Sequence, residues 1–272
     1  MPEGHVIHRL ADGLTELFGG RTVRVASPQG RFADEAALLD GGVLTGAEAY
    51  GKHLFIDFGP ERVVHIHLGL IGKLWLLDGG HPSPAGLDTL RLLIARDDDR
   101  AELRGPQWCR LITDEARAEV MAKSGDDPIR PECDGEKAWA KLSRSGRSIA
   151  SLLMDQSVTA GVGNIYRAEV LFRHRLNPFK EGRTVSRRTW NAVWADLVEL
   201  LRLGVRDGRI DTVRDEHLPE AMGREPRVDR HGGEVYVYRR AGLPCLACGT
   251  PIRTRVLEGR NLYWCPRCQR RR

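Results

Sequence analysis

Two sets of residues in this chain have types and spacings that can do chemistry. Cys245 and Cys248 stand two residues apart, Cys265 and Cys268 likewise, and sixteen residues separate the pairs. That C-x2-C-x16-C-x2-C spacing is that of a closed four-thiolate zinc site, so one structural Zn2+ is expected. A redox pair needs only one such motif, and a disulfide framework belongs to oxidising compartments. Between the pairs, IRTRVLEGRNLYW reads as a β-hairpin turning at Glu258-Gly259-Arg260, which zinc makes rigid with Arg260 at its tip. The second set is the opening Met1-Pro2-Glu3-Gly4. A small second residue such as Pro permits removal of the initiator Met, and Pro2 then carries a secondary amine able to attack a carbonyl or sugar carbon and form an iminium. Glu3 beside it can serve as general acid or base. Taken alone, these residues equally describe a frayed terminus.

Other candidates depend on context. Lys52, in Tyr50-Gly51-Lys52-His53, stands at a strand entry, as an ordinary edge residue or as a phosphate contact or proton donor near the Pro2 amine. His65 and His67 fall on one side of a strand, but no third ligand of matching spacing lies nearby, so a metal site is not expected there. Leu70-Ile71, between Gly69 and Gly72, are either an exposed wedge for a base stack or a buried turn contact. In residues 148–166, SIASLLMDQSVTAGVGNIY, a helix is expected to end near Gln156 and Asn164 to N-cap the next. Gly161 and Gly163 let backbone approach a ligand, and the helix N-terminus after them favours an anion. A plain glycine turn between packed helices has the same pattern. Cys109 and Cys133, without sequence-near partners, are expected as structural or free thiols.

The elements that must position these residues follow from periodicity. His5–Phe18 repeats apolar residues at helical spacing, with Val6, Leu10, Leu14 and Leu17 on one face and Gly19-Gly20 ending it. From Thr22 the period changes to two, and seven β-type runs broken by Gly, Pro and Asp predict an antiparallel β-sandwich, with a hairpin turn at 97–100. Residues 122–136 read as a linker, 137–238 as a helical domain and 239–272 as the zinc finger; 1–121 is the sandwich domain. Within the second domain, 207–238 reads as a mobile loop or lid over a bound nucleotide. The class is therefore α+β with several domains.

Charge is segregated. Residues 137–188 carry eleven Lys or Arg against three acids and 239–272 nine Arg against one Glu, a net +8 each; with +5 for the whole chain, the remainder is −11. Such asymmetry points to a polyanionic partner, nucleic acid above all. The sequence has neither a signal-peptide pattern nor a membrane-length apolar run, so a soluble intracellular protein is expected.

Taken together, Pro2-Glu3, Gly51-Lys52-His53-Leu54, the DQSVTAGVGNIYRAEVLF segment and the Arg-tipped four-cysteine finger resemble the formamidopyrimidine-DNA glycosylase and endonuclease VIII family, over nearly the whole chain. Met1-Pro2-Glu3-Gly4, and Ala150 where the formamidopyrimidine branch commonly has a phosphate-binding lysine, are similar to the endonuclease VIII branch. The resemblance implies a helix-two-turn-helix DNA-binding domain and a bifunctional repair enzyme. In that reading Pro2 attacks C1′ of the damaged nucleotide, Glu3 assists proton transfer, Lys52 acts in β-elimination and Arg260 in δ-elimination. It makes His67, Leu70, Ile71, Gly163, Asn164 and Arg260 the DNA-contacting set, around a nucleotide extruded from the duplex. The expected partner is double-stranded DNA with oxidised bases, chiefly pyrimidines, or abasic sites, met by a cytoplasmic, nucleoid-associated monomer. An oxidised-purine preference and a non-catalytic zinc-finger protein recognising damaged DNA are the alternatives. The formamidopyrimidine branch's Arg-x-Phe pair has no match in Leu103–Trp108.

Overall fold

The computed structural model describes residues 2–79, 81–83, 86–229 and 232–270, in two compact units, Met1–Lys123 and Ser124–Arg272. The first unit begins with α1 (Gly4–Phe18), followed by β1 (Arg21–Thr22), β2 (Arg24–Ala26), α2 (Ala33–Leu39), β3 (Val43–Leu44), β4 (Gly46–Tyr50), β5 (His53–Asp57), β6 (Val63–His67) and β7 (Lys73–Leu77). It continues through β8 (Leu90–Arg96), β9 (Asp99–Arg104), β10 (Trp108–Ile112) and α3 (Asp114–Lys123). Two four-stranded antiparallel sheets, ordered β10-β6-β5-β4 and β2-β8-β9-β7, form the sandwich, and β1 and β3 pair separately. Strand alternation sends Leu54, Ile56, Val64, Ile66, Leu92, Ile94 and Leu103 into one core with Ile7, Leu14 and Phe18 of α1. The buried face of α1 is Ile7, Ala11, Leu14 and Phe18, one position on from the expected stripe, with Leu10 and Leu17 flanking it. The Asp97-Asp98 turn joins β8 to β9 through the Arg96–Asp99 pair.

The second unit contains α4 (Glu136–Leu142), α5 (Ile149–Leu152), α6 (Asn164–Arg173), α7 (Arg187–Asp207), α8 (Pro219–Met222) and a hairpin of β11 (Arg253–Leu257) with β12 (Arg260–Trp264). Ser186 caps α7 through its hydroxyl, which accepts from Thr189 N. Residues from 124 onward are built into this unit and do not form a free linker: the Asp126 carboxylate accepts from Ala138 N at 3.0 Å, and Asp126 bridges to Thr159. Gly, Pro and acids there signal turns, and residues 124–128 are buried.

The stretch 207–238 also departs from the expected mobile loop, apart from Arg230 and His231, which lie outside the described residues. Val235, Tyr236, Val237 and Tyr238 join the main core. What holds them is Glu169, on the buried helix α6. Its carboxylate accepts from three consecutive amides, Tyr236 N at 2.6 Å, Val237 N at 2.9 Å and Tyr238 N at 2.8 Å, and from Thr212 Oγ1 at 2.7 Å. A wholly buried carboxylate is tolerable only with such complete satisfaction. Replacing Glu169 with Leu leaves those donors unpaired and should cost about 3–5 kcal/mol. Urea unfolding checks this; a midpoint like that of the unaltered protein would show that water replaces the carboxylate without loss.

Candidate functional site

The Pro2 end of the first unit is part of the folded body. Glu3, at the N-cap position of α1, has an extended backbone and is 1% exposed, and its carbonyl accepts from Val6 N at 3.0 Å. Pro2 is partly exposed; Met1 lies outside the described residues. α1 packs along β4, and the Thr15 hydroxyl near its C-terminus accepts from Ala47 N at 2.9 Å. From that contact the helix runs back toward Pro2 for ~16 Å and β4 runs forward to the Gly51-Lys52 turn for ~13 Å. Lys52 lies in the turn that leads from β4 into β5.

Beside Lys52 lies a cluster of rings on β5, β6 and β10. His53 Nδ1 and His65 Nε2 share a proton at 2.9 Å, His65 stacks on Phe55 with centroids 4.8 Å apart, and His67 stacks on Trp108 at 4.5 Å. Burial, then the neighbouring positive groups, pushes the His53 pKa down to about 4 and that of His65 to about 3. His67 is lowered too, by burial and then by Lys52, against a hydrogen bond that its ring donates to the Gln107 side chain. Since His67 Nδ1 accepts from Gly69 N at 3.1 Å, its ring proton sits on Nε2.

These histidines make a pH prediction. In the unfolded chain they titrate near ~6.5, while the fold binds their neutral forms. Between about 6.5 and their folded values the unfolded state therefore binds more protons. Stability should be complete above pH ~6.5 and fall steadily on acidification toward about 4 and then about 3. Thermal unfolding of His65→Phe from pH 7.5 to 4.5 should show a shallower decline than the unaltered protein; parallel curves would remove the histidines as the cause.

The loop joining β6 to β7 presents Leu70 and Ile71 to solvent, 61% and 81% exposed. Gly72 closes it by donating its N–H to Leu68 O at 3.0 Å, and a Cβ on Gly72 would lie 2.2 Å from that oxygen. Gly69, at φ 68°, supplies the left-handed turn. Of the two readings open from sequence, buried contact and exposed tip, the geometry is that of the exposed tip. The neighbouring segment adjoins it, with Gln107 N donating to His67 O at 2.9 Å.

In the second unit, α5 ends at Leu152, earlier than the position near Gln156 that periodicity indicates. Gln156 instead stitches the following turn: its Nε2 donates to Met154 O and Val162 O, both at 2.9 Å, and its Oε1 accepts from Gly161 N at 3.0 Å. Gly163 occupies the N-cap position of α6, and Asn164 is the first helical residue, not the cap. The Asn164 side chain is committed elsewhere: Nδ2 donates to Asn261 O at 3.0 Å, and Oδ1 accepts from Arg167. That bond ties β12 to the start of α6. The turn before β12 is Glu258 (φ 48°) and Gly259 (φ 72°), the two left-handed residues of a type I′ hairpin, with Arg260 pairing Leu257 immediately after it. Arg147 steadies the turn from outside, donating to Asp155 at 2.7 Å and to Glu258 at 3.4 Å.

The four cysteine sulfurs lie within 4.8 Å of one another, the only such cluster of possible metal ligands among the described residues. Zn–S bonds of ~2.3 Å in a tetrahedron require sulfurs ~3.8 Å apart. Cys245 and Cys268 are 3.9 Å apart, Cys248 and Cys265 3.5 Å. The four cysteines hold one structural zinc, which fixes the hairpin that carries Arg260.

Sequence reasoning assigned no role to His53, Gln156, Glu169 or Asn261, although all four lie within the quoted stretches. Glu169 also left a local signal, a lone carboxylate beside VLF in a helix otherwise free of acids.

Three family models match: the formamidopyrimidine-DNA glycosylase N-terminal domain over residues 1–106, its H2TH domain over 124–215, and the zinc finger found in FPG and IleRS over 242–271. A Mycobacterium tuberculosis protein named Endonuclease 8 1 is 48% identical over 276 residues, covering 99% of this chain and 100% of that protein. A formamidopyrimidine-DNA glycosylase of Aromatoleum aromaticum is 33% identical over 284 residues, covering 100% of both. Among solved structures, MutM (Fpg) of Thermus thermophilus matches with TM-score 0.75 and 29% identity over 98% of each chain. Lactococcus lactis Fpg in complex with abasic-site DNA has the same fold, with TM-score 0.77 and 23% identity over 99% of this chain and 100% of that one. No helix among the described residues is long and apolar enough to cross a membrane. A sandwich opening on Pro2-Glu3, an H2TH unit and a four-cysteine finger are thus matched along the chain in one order, and it belongs to the formamidopyrimidine-DNA glycosylase and endonuclease VIII family of bifunctional DNA glycosylase and abasic-site lyases of base excision repair.

Proposed function

We propose that this enzyme removes chiefly oxidised pyrimidines from duplex DNA and then cuts the strand by β,δ-elimination, with Pro2 as the nucleophile. The observation that carries the catalytic reading is the construction of the N-terminus: Pro2 stands partly exposed on a buried Glu3 at the head of a 15-residue helix. The positive pole of that helix disfavours a second positive charge beside it, which favours the free amine. Pro2 nitrogen attacks C1′, the bond from C1′ to the base breaks as the sugar ring opens, and an iminium remains. Glu3 moves the proton to the sugar. Loss of a C2′ proton, with Lys52 nearby, then breaks the 3′ C–O bond. The same sequence at the 5′ side, assisted by Arg260, releases the second phosphate and leaves a one-nucleotide gap with phosphate ends.

The remaining assignments follow that chemistry. The backbone at the start of α6, Gly163 and Asn164, contacts phosphates around the extruded nucleotide together with Arg260, His67 contacts the DNA, and Leu70 and Ile71 fill the gap left in the stack. The pyrimidine preference is supported by the Endonuclease 8 name of the relative that is 48% identical. Borohydride trapping across thymine glycol, dihydrouracil, 8-oxoguanine and abasic duplexes tests it. Preferential trapping of the first two over 8-oxoguanine is expected, and the reverse order would assign the enzyme to oxidised purines. We take it to act as a monomer, on DNA in the cytoplasm.

A further inference from the structure

The second unit carries a second basic concavity that the chemistry above does not use. α6 and β12 lie side by side and are tied at both ends. Asn164 meets Asn261 at one end; at the other, Gln269 Nε2 donates to Leu176 O at 3.0 Å and Asn177 Nδ2 to Gln269 O at 2.8 Å. Along ten helical residues that is a separation of ~15 Å. At this far end lies a concavity of about 590 Å³ lined by His174, Arg175, Ala247, Arg267 and Arg270 and by two of the zinc cysteines, Cys248 and Cys268. A smaller one of about 90 Å³ shares Arg175, Ala247 and Cys268 with it and adds Arg214 among its lining residues.

Some arginines of this unit have a carboxylate partner, as Arg147, Arg173, Arg183, Arg187, Arg206, Arg209, Arg224 and Arg227 do. The side chains of Arg175, Arg214, Arg267 and Arg270 form no ion pair or hydrogen bond with any described residue. The one carboxylate lining these concavities, Glu216, faces His217 at 3.7 Å. The zinc with its four thiolates carries a charge of about 2−, half of what four guanidiniums supply, so the groove stays positive. Arg175 moreover holds a left-handed backbone, φ 50°, which a non-glycine residue adopts at a cost.

We propose that this groove binds an acidic peptide segment of a partner protein. Arginine guanidiniums donate to carboxylates in a bidentate geometry. A single extended chain fits a concavity of this size, whereas the phosphates of a duplex need a broad face.

The test is fluorescence anisotropy of a labelled decamer of Asp and Glu with the zinc-loaded full chain at low salt. The peptide should bind, more weakly as salt rises. Arg267→Glu with Arg270→Glu, and separately Arg175→Gln with Arg214→Gln, should each weaken it about tenfold. Zinc content should hold, and cleavage of a lesion duplex should stay within about twofold. Absence of peptide binding, or equal binding by both variants, overturns the proposal. So does loss of zinc in both variants, which would make these arginines counter-charges of the cluster. If undamaged duplex displaces the peptide and the variants lose DNA affinity by the same factor, the groove is a DNA contact and the proposal fails.

Discussion

Blocking the amine at position 2 should abolish strand cleavage. A chain that retains Met1, or carries an N-terminal tag, cannot form the iminium, and its turnover on lesion or abasic duplex should fall by about 10³-fold or more. Affinity for the same DNA should change little, because the basic blocks and the zinc hairpin are untouched. Pro2→Gly is the subtler case: it keeps an amine, but a primary one, whose imine must gain a proton to match the electrophilicity of an iminium. Its rate should fall about 10²-fold, with trapping by borohydride still detectable. A kcat loss without a matching loss of DNA affinity separates this from mere misfolding, and a tagged chain that cleaves at the normal rate would rule out the nucleophile.

Removing the zinc should have the next largest effect. Zinc binding by four thiolates is worth ~10–16 kcal/mol in isolated fingers, and Cys265 is fully buried while Cys245 is 3% exposed. Cys265→Ser, or prolonged chelation, should release the β11–β12 hairpin, and with it the Asn261 carbonyl that holds Asn164. DNA affinity should drop by about 10²-fold, with steep salt dependence kept by the arginines that remain. The sandwich has its own core and should unfold at its usual temperature. Unchanged DNA affinity after zinc loss would detach the hairpin from substrate binding.

How far the sequence reveals this arrangement depends on the range of the interactions involved. Cysteine spacing is a local signal and shows the zinc site outright. The alternating runs of β5, β6 and β8 are equally direct, since each strand buries one face. β9 is not seen, because DRAELR has charges where alternation calls for apolar residues; Glu102 is nonetheless fully buried, paired with Arg104 at 3.0 Å. α3 is missed for the opposite reason: it buries no residue, so it has no stripe to read. Its Arg117 is held by Asp114 three residues back at 2.6 Å, a local pair, and by Asp57 at 2.8 Å, a contact that only the fold creates.

The site itself divides the same way. Pro2, Lys52 and Arg260 are visible as residues, but their surroundings are not. Asn164 reads as a helix cap from its neighbours and becomes a tether once Asn261, 97 positions away, is beside it. His53 looks like an ordinary strand residue until the fold buries it against His65 and the burial makes both neutral. Glu169 looks like a solvated helix residue, and its true partners are amides more than sixty residues further along. Such long-range polar pairings carry no periodicity, so composition and spacing cannot announce them.

The central claim is that the amine of Pro2 becomes covalently bound to C1′ of the damaged nucleotide. Its most direct test is to incubate the enzyme, freed of Met1, with a thymine glycol or abasic duplex in the presence of borohydride, digest the trapped complex and locate the adduct by mass spectrometry. The sugar should be found on the N-terminal peptide, attached at Pro2. An adduct on Lys52 or any other lysine, or efficient cleavage with no trapped complex, would contradict it.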